Sequence, residues 1–230
     1  MATIDPGKVR NVGLLGHGGV GKTMLVERIL HEAGVTNRLG AIEDGNTVSD
    51  YLEDEVERKH SIAMKLVHLE WNGYRIHIVD HPGYVDFLGE VASSTPLLDS
   101  VIIVVDAATG VQVGTDNAWK YAERYHVPRA FFVNKLDLRD TYGKHCVPLM
   151  LPEGAAQNLS GAVSVLDPAA TSDEIETVRM ELVEVVAETD DALTERFLEN
   201  GELAPEEFNK GLYRGIIEGK IVPIFAGSVS

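Results

Sequence analysis

The chain has 230 residues, of which 44% are hydrophobic and 24% are charged, as in globular proteins that fold without disulfides or structural metals. Its formal net charge of −16 and its pI near 4.8 argue against broad binding to free DNA or to an anionic membrane. Because Cys146 is the only cysteine and no apolar run approaches the roughly 20 residues that cross a bilayer, we expect no disulfide, no membrane span and a reducing, cytoplasmic compartment.

The first 137 residues alternate short apolar runs with helical patterns, which is typical of a parallel sheet covered by helices. Asn72-Gly73 is a hairpin turn signal, so one strand is expected to run antiparallel. The segments rich in Val and Ile predict strands at 9–15, 64–71, 74–80, 100–107, 129–135 and 220–227. Apolar residues at helical spacing predict helices at 22–33, 86–98, 115–126 and from about Pro205.

Two stretches depart from this alternation. The loop around 36–60 is long and polar, and such loops are usually functional or mobile. Residues 140–204 hold a Gly/Pro/Asn-bearing stretch and then one long helix pattern near 173–199, which predicts an inserted subdomain. We therefore expect a main domain of residues 1–139 and 205–230, with a small α/β insertion at 140–204. The acidic run at 173–207 is typical of a solvated helix face, and an acidic docking surface is the alternative.

Residues 16–23 read GHGGVGKT and match the phosphate-loop pattern G-x-x-x-x-G-K-[ST], between a predicted strand and a predicted helix. Glycines let backbone N–H groups turn toward a triphosphate, and the helix start adds its positive end. Lys22 supplies a charge for the β- and γ-phosphates, and Thr23 supplies a hydroxyl for Mg²⁺. The predicted nucleotide contacts of this loop are His17, Gly18, Gly19, Val20, Gly21, Lys22 and Thr23.

A second phosphate element, DHPG, ends the strand predicted at 74–80. Asp80 is placed to hold Mg²⁺ through a water, and Gly83 is placed to offer a bare amide to the γ-phosphate. Alone, D-x-x-G is a common turn after a strand. It gains meaning because the fold would place this strand beside the one that precedes the phosphate loop.

A base-reading element, NKLD, follows the strand predicted at 129–135. The Asp137 carboxylate can accept two hydrogen bonds from the N1–H and N2–H₂ edge of guanine, whereas adenine would leave that charge unpaired. Asn134 can brace the loop, and the Lys135 stem can lie over the ring. Gly227-Ser228 can offer amides to the guanine oxygen, so we expect GTP and GDP rather than adenine nucleotides.

With these elements in order, the chain resembles the G domain of the translational GTPases, and most closely elongation factor G-like proteins. The resemblance implies a P-loop GTPase fold, with a mixed, mostly parallel sheet and helices on both faces. It also implies a ribosome-stimulated GTPase whose 48–62 and 83–91 regions rearrange when the γ-phosphate is lost, with Ser61 as a second Mg²⁺ ligand. The residues that carry the likeness are VGLLGHGGVGKT, VSDYLEDEVERKHSI, HIVDHPGYVDFLGEV, VVDAATGVQVGTDNAW, FVNKLD and VPIFAGS, and 181–203 resembles the family's insertion subdomain.

The chain departs from that family at four points. Tyr84 stands where most elongation factors G have a histidine that positions the attacking water. Gly19 replaces the usual phosphate-loop Asp, and His60 replaces an apolar residue beside Ser61. The chain ends at Ser230, before the family's β-barrel and ribosome-contacting domains, so we expect a fragment or an excised domain.

These observations predict a GTP-binding and GTP-hydrolysing switch in which Lys22, Gly83 and Tyr84 act at the reacting phosphate. Because no arginine finger stands out in the motifs, turnover is expected to be slow without a partner, which the resemblance implies is the ribosome. The alternative is a GTP-regulated binding module with little hydrolysis, which would follow if Tyr84 cannot orient water. A P-loop kinase of small molecules is a further alternative, against which NKLD argues.

Overall fold

A computed structural model describes residues 5–106, 109–133, 145–153 and 161–226. The described residues up to Val127 form one compact unit, and those from Pro128 form a second. The division predicted from the sequence has different boundaries from these two units, because it places an insertion at 140–204 within a main domain. That division stays a prediction.

The first unit is built on four strands in the order β2-β3-β1-β4. Strand β1 pairs in parallel with β3 and with β4, whereas β2 and β3 are antiparallel. The antiparallel pair turns at Asn72-Gly73, where both residues have positive φ angles of 49° and 78°, as the hairpin signal predicts. The bounds of the strands are β1 Val9–Gly16, β2 Lys65–Trp71, β3 Tyr74–Asp80 and β4 Ser100–Val105.

Helices cover both faces of this sheet. Successive strand residues point to opposite faces, and Leu14 and Leu15 of β1 are both buried. Two long helices pack against β1, with Leu25, Val26 and Leu30 as the buried apolar side chains of the first. The helices of this unit are α1 Lys22–Glu32, α2 Glu53–Arg58, α3 Leu88–Ser94 and α4 Val113–Arg124.

The second unit has three strands in the order β5-β9-β6, all parallel, and a separate antiparallel pair, β7 and β8. Its core includes Val147, Leu182, Val186 and Ile221, which are all fully buried. The elements are β5 Arg129–Val133, β6 Cys146–Pro148, β7 Met150–Glu153, β8 Gly161–Ser164, α5 Asp173–Ala187, α6 Asp191–Asn200, α7 Pro205–Ile217 and β9 Val222–Ala226.

The structure corrects three predicted elements. The pattern at 173–199 is two helices, because Asp190 interrupts it and its side chain caps the N-terminus of α6 by accepting from the Ala192 amide. The helix predicted at 86–98 is only Leu88–Ser94, flanked by 3₁₀ turns at Val85–Phe87 and Thr95–Leu97. The 36–60 loop contains the short helix α2, which had no predicted counterpart. No helix in the described ranges is long and apolar enough to span a membrane.

Candidate functional site

The phosphate loop follows β1 directly and leads into α1, as the motif predicts. Gly16, Gly19 and Gly21 have φ angles of 141°, 80° and 91°, a region that favours glycine. A Cβ added at Gly16 would also collide with the Val104 carbonyl oxygen, so the turn requires glycine for two reasons. The loop therefore has the backbone conformation that turns amides inward at the start of a helix.

Lys22 is buried at the first position of α1. Its Nζ donates to the carbonyl oxygens of His17 at 2.7 Å and Gly16 at 3.2 Å, which holds the ammonium group against the loop. Burial lowers the pKa of Lys22 to about 8, and the carboxylates of Asp80 and Asp50 oppose that change. The loop thus carries a desolvated cation, which attracts a phosphate more strongly than one in open water.

Thr23, Ser61 and Asp80 come together, as predicted for a metal site. The Thr23 hydroxyl donates to Asp80 Oδ2 at 2.9 Å and lies 3.2 Å from the Ser61 hydroxyl oxygen. Burial raises the pKa of Asp80 to about 6, although Lys22 and the Thr23 hydroxyl oppose the rise. Asp80 Oδ1 is buried with no hydrogen-bond partner among the described residues. Two hydroxyls and a carboxylate with a free oxygen form a donor set that fits Mg²⁺.

Asp50 adds a second carboxylate that the motifs did not identify. It is buried, and neither of its oxygens makes a well-formed hydrogen bond within the described part of the chain. Burial raises its pKa, and the nearby Ser61 hydroxyl opposes that rise. A buried charge without a partner is costly, so this side chain also suits a cation held beside Thr23. No sequence signal distinguishes Asp50 from the other acidic residues of its polar loop. Burial without a hydrogen-bond partner among the described residues distinguishes it.

Gly83 lies against the phosphate loop. A Cβ at this position would collide with Lys22 Nζ and would lie 2.6 Å from the Gly18 amide nitrogen. Only glycine therefore fits, and its backbone meets the loop where the sequence predicts a γ-phosphate contact.

Tyr84 follows, with 41% of its surface exposed. Its ring lies over Gly18, where an added Cβ would be 2.9 Å from two ring carbons. The ring also contacts the imidazole of His60, with centroids 4.7 Å apart and planes tilted by 50°. This pairing of residues from two separate loops was not predicted.

One cavity of about 190 Å³ lies at this site, and Asp80 is hydrogen-bonded to Thr23 in its lining. Its lining combines phosphate-loop residues with side chains of the two following loops, among them Asp50, His60, Ser61 and Tyr84. A larger cavity of about 590 Å³ lies beside α5 and α6, so volume does not identify the site. What identifies it is the convergence of one buried cation, two buried carboxylates and a glycine loop.

The predicted base-reading residues Asn134, Lys135, Asp137, Gly227 and Ser228 lie outside the described residues. The strands that precede them end at Val133 and Ala226. These two residues are paired in parallel register, so β5 and β9 end at the same edge of the sheet.

Comparisons with known proteins agree with this geometry. The family model for the elongation factor Tu GTP-binding domain matches residues 7–229. The crystal structure of ttk003000868 from Thermus thermophilus is similar to this chain, with a TM-score of 0.87 and 31% sequence identity. The match covers 96% of this chain but only 38% of that one, so the chain spans well under half of the matched structure. The predicted P-loop GTPase fold, with its mixed, mostly parallel sheet, is confirmed.

Proposed function

The chain belongs to the family of the elongation factor Tu GTP-binding domain, the guanine-nucleotide-binding domain of translational GTPases, and on that premise we propose that it hydrolyses GTP as a Mg²⁺-dependent switch. We further propose that it serves an elongation factor G-like protein that acts with the ribosome in the cytoplasm. The ribosome and the elongation step are proposals, because this chain covers only 38% of the matched structure.

The observation that carries this proposal is the buried group formed by Lys22, Thr23 and Asp80 at the phosphate loop. The Thr23 hydroxyl is hydrogen-bonded to the Asp80 carboxylate, and the Lys22 ammonium group is close enough to influence that carboxylate. All three groups are removed from water, which is costly without a bound partner. A nucleoside triphosphate would supply negative charge to Lys22, and its metal ion would supply positive charge to Asp80 and a coordination site for the Thr23 hydroxyl.

The chemistry proposed for these residues is positioning and charge neutralisation. Lys22 and the loop amides hold the β- and γ-phosphates, and the Gly83 amide contacts the γ-phosphate. Thr23, Ser61 and Asp80 would hold Mg²⁺, which when bound neutralises charge on the phosphate oxygens. Tyr84 borders the cavity on the side of Gly18 and Gly83, where the attacking water is expected.

Hydrolysis is tested by single-turnover assays of this chain with GTP, with and without ribosomes. We expect slow turnover alone and faster turnover with ribosomes, because no arginine is present among the described residues that line the proposed site. Titration with GDP and Mg²⁺ that shows no saturation, in a folded sample, would refute nucleotide binding itself.

Base selection is tested by Asp137→Asn. The amide offers a donor where the carboxylate accepted, so preference should move from guanine toward xanthine nucleotides by about 10-fold or more. Competition of GDP and XDP for a fluorescent nucleotide measures the shift. A variant that keeps the full preference for GDP would contradict the role of Asp137.

The position of Tyr84 supports a second candidate, a GTP-regulated binding module with little hydrolysis. A phenol cannot carry an imidazolium charge, and this one is partly exposed. If ribosomes leave the hydrolysis rate unchanged while GTP and GDP both bind, the binding module is favoured.

A further inference from the structure

The ring contact between His60 and Tyr84 lies at the phosphate cavity, and both side chains line it. His60 comes from the loop that contains α2, and Tyr84 comes from the loop that follows β3. The two loops therefore meet through aromatic rings at the end of the cavity that also holds Gly18 and Gly83.

Two local features bring the rings together. Lys59 ends α2 with a left-handed φ of 56°, which turns the chain so that His60 and Ser61 face the cavity. Gly18 has no side chain, and the space this leaves is filled by the Tyr84 ring. A residue larger than glycine at position 18 would push that ring away.

The hydrogen bonding of His60 sets which ring nitrogen can accept. Nδ1 lies 3.3 Å from the Ser61 carbonyl oxygen, and a carbonyl can only accept, so Nδ1 carries the proton. In the neutral ring Nε2 then holds a lone pair. Among the other lining side chains, Lys22 and Lys59 can only donate, and Thr23, Ser61 and Asp50 are assigned to the proposed metal. The Tyr84 hydroxyl is then the other side-chain acceptor in the lining, and the variants below distinguish it from His60.

We propose that His60 is the catalytic residue that orients the attacking water, and that Tyr84 is a positioning residue that holds the imidazole by ring contact. This inference rests on the proposed GTP hydrolysis. The water donates one hydrogen bond to Nε2, and its oxygen forms a bond to the γ-phosphorus as the bond from that phosphorus to the β–γ bridging oxygen breaks. The electron pair of the broken bond stays on GDP, and the water proton goes to the released phosphate, so His60 keeps no proton.

The test is single-turnover GTP hydrolysis by the whole chain with saturating ribosomes. His60→Leu should lower the rate about 100-fold, while GTP affinity changes by less than about threefold, because a misplaced water affects only the chemical step. His60→Gln, which keeps an acceptor, should recover part of the loss. His68→Gln is the matched control, since His68 is exposed on β2 away from the cavity.

The positioning role of Tyr84 has its own pair of variants. Tyr84→Leu should lower the rate of GTP hydrolysis about 10-fold. Tyr84→Phe should keep most of the wild-type rate, because the aromatic ring and not the hydroxyl holds His60. Gly18→Ala should slow hydrolysis with His60 intact, since the added carbon displaces the Tyr84 ring.

The outcomes separate this inference from the proposed function. Wild-type protein that binds GTP but does not hydrolyse it with ribosomes would overturn both. Wild-type hydrolysis that His60→Leu leaves unchanged would overturn the role of His60 alone. Loss of hydrolysis in Tyr84→Phe, with His60→Leu active, would assign the water to the Tyr84 hydroxyl instead.

Discussion

Asp50 shows what a single buried carboxylate contributes to this site. Its charge lies close enough to oppose the fall in the Lys22 pKa and to raise the Asp80 pKa, so all three groups share one electrostatic environment. A divalent cation beside Thr23 would relieve the repulsion between Asp50 and Asp80. Asp50 is therefore expected to orient the water shell of the metal rather than to build the fold.

Asp50→Asn keeps the shape of the side chain and removes its charge. We expect the Mg²⁺ concentration needed for half-maximal nucleotide retention to rise about 10-fold, since outer-shell groups contribute on that scale. Release of a fluorescent GDP analogue over a Mg²⁺ series measures it. Asp44→Asn, at an exposed position in the same loop, is the control, and equal effects of the two variants would contradict the assignment.

At the scale of elements, two buried glutamates hold the loop between α1 and β2. Glu27 accepts from the amides of Gly40 and Val48. Glu55 accepts from Lys65 Nζ at 2.6 and 2.8 Å, and from the Ile62 amide at 2.9 Å. Hydrogen bonds to these two carboxylates therefore hold the loop that supplies Asp50, His60 and Ser61 against α1 and β2. The ordered conformation of the loop depends on them.

Glu55→Gln should destabilise the first unit by about 3–5 kcal/mol, because it leaves the buried Lys65 ammonium without its counter-charge. Urea unfolding followed by tryptophan fluorescence measures the change, since Trp71 and Trp119 both lie in that unit. Glu53→Gln, exposed on the same helix, should change stability by less than about 0.5 kcal/mol. Comparable losses in both variants would contradict the role of the buried pair.

The same pair predicts a pH dependence. Burial alone would raise the pKa of Glu55, but hydrogen bonds from Lys65 and from the Ile62 and Ala63 amides outweigh it and lower the pKa. The unfolded chain therefore takes up this proton at a higher pH than the folded chain, and the stabilisation is lost as pH falls through the folded pKa. The stability difference between wild type and Glu55→Gln should be constant above about pH 5 and shrink below it. A difference that stays constant in acid would refute this assignment.

At the scale of the whole molecule, each unit has its own buried core. Leu182 of α5 is fully buried against Val147, Val165 and Ile221 in the second unit. Leu182→Ala should lower the stability of that unit by about 2–5 kcal/mol, through lost burial and the cavity that remains. Hydrogen exchange of the α5 amides measures it, because both tryptophans lie in the first unit.

Leu198→Ala is the matched control, since this α6 leucine is 79% exposed. Its effect should stay within about 0.5 kcal/mol, as for most surface substitutions. If both variants lost the same protection against hydrogen exchange, the core around Leu182 would not be what stabilises the second unit.

Much of this architecture was predictable because the signals are local. The glycines, Lys22 and Thr23 are consecutive in GHGGVGKT, and their chemistry depends on the turn they form themselves. The Val- and Ile-rich strands and the Asn72-Gly73 hairpin follow from short-range pattern in the same way. Apolar periodicity does not reveal the break before Asp190, because it continues across the side-chain cap that begins the second helix.

The sequence by itself therefore determined the fold class and the phosphate-binding motifs, whose residues lie side by side along the chain. Only the tertiary structure decided which scattered residues join them: the buried charges of Asp50 and Glu55, the contact of His60 with Tyr84, and the pairing of β6 with β9. The physical reason is that burial and contact are properties of distant segments brought together. Identical acidic or aromatic residues in a loop differ only in what surrounds them after folding.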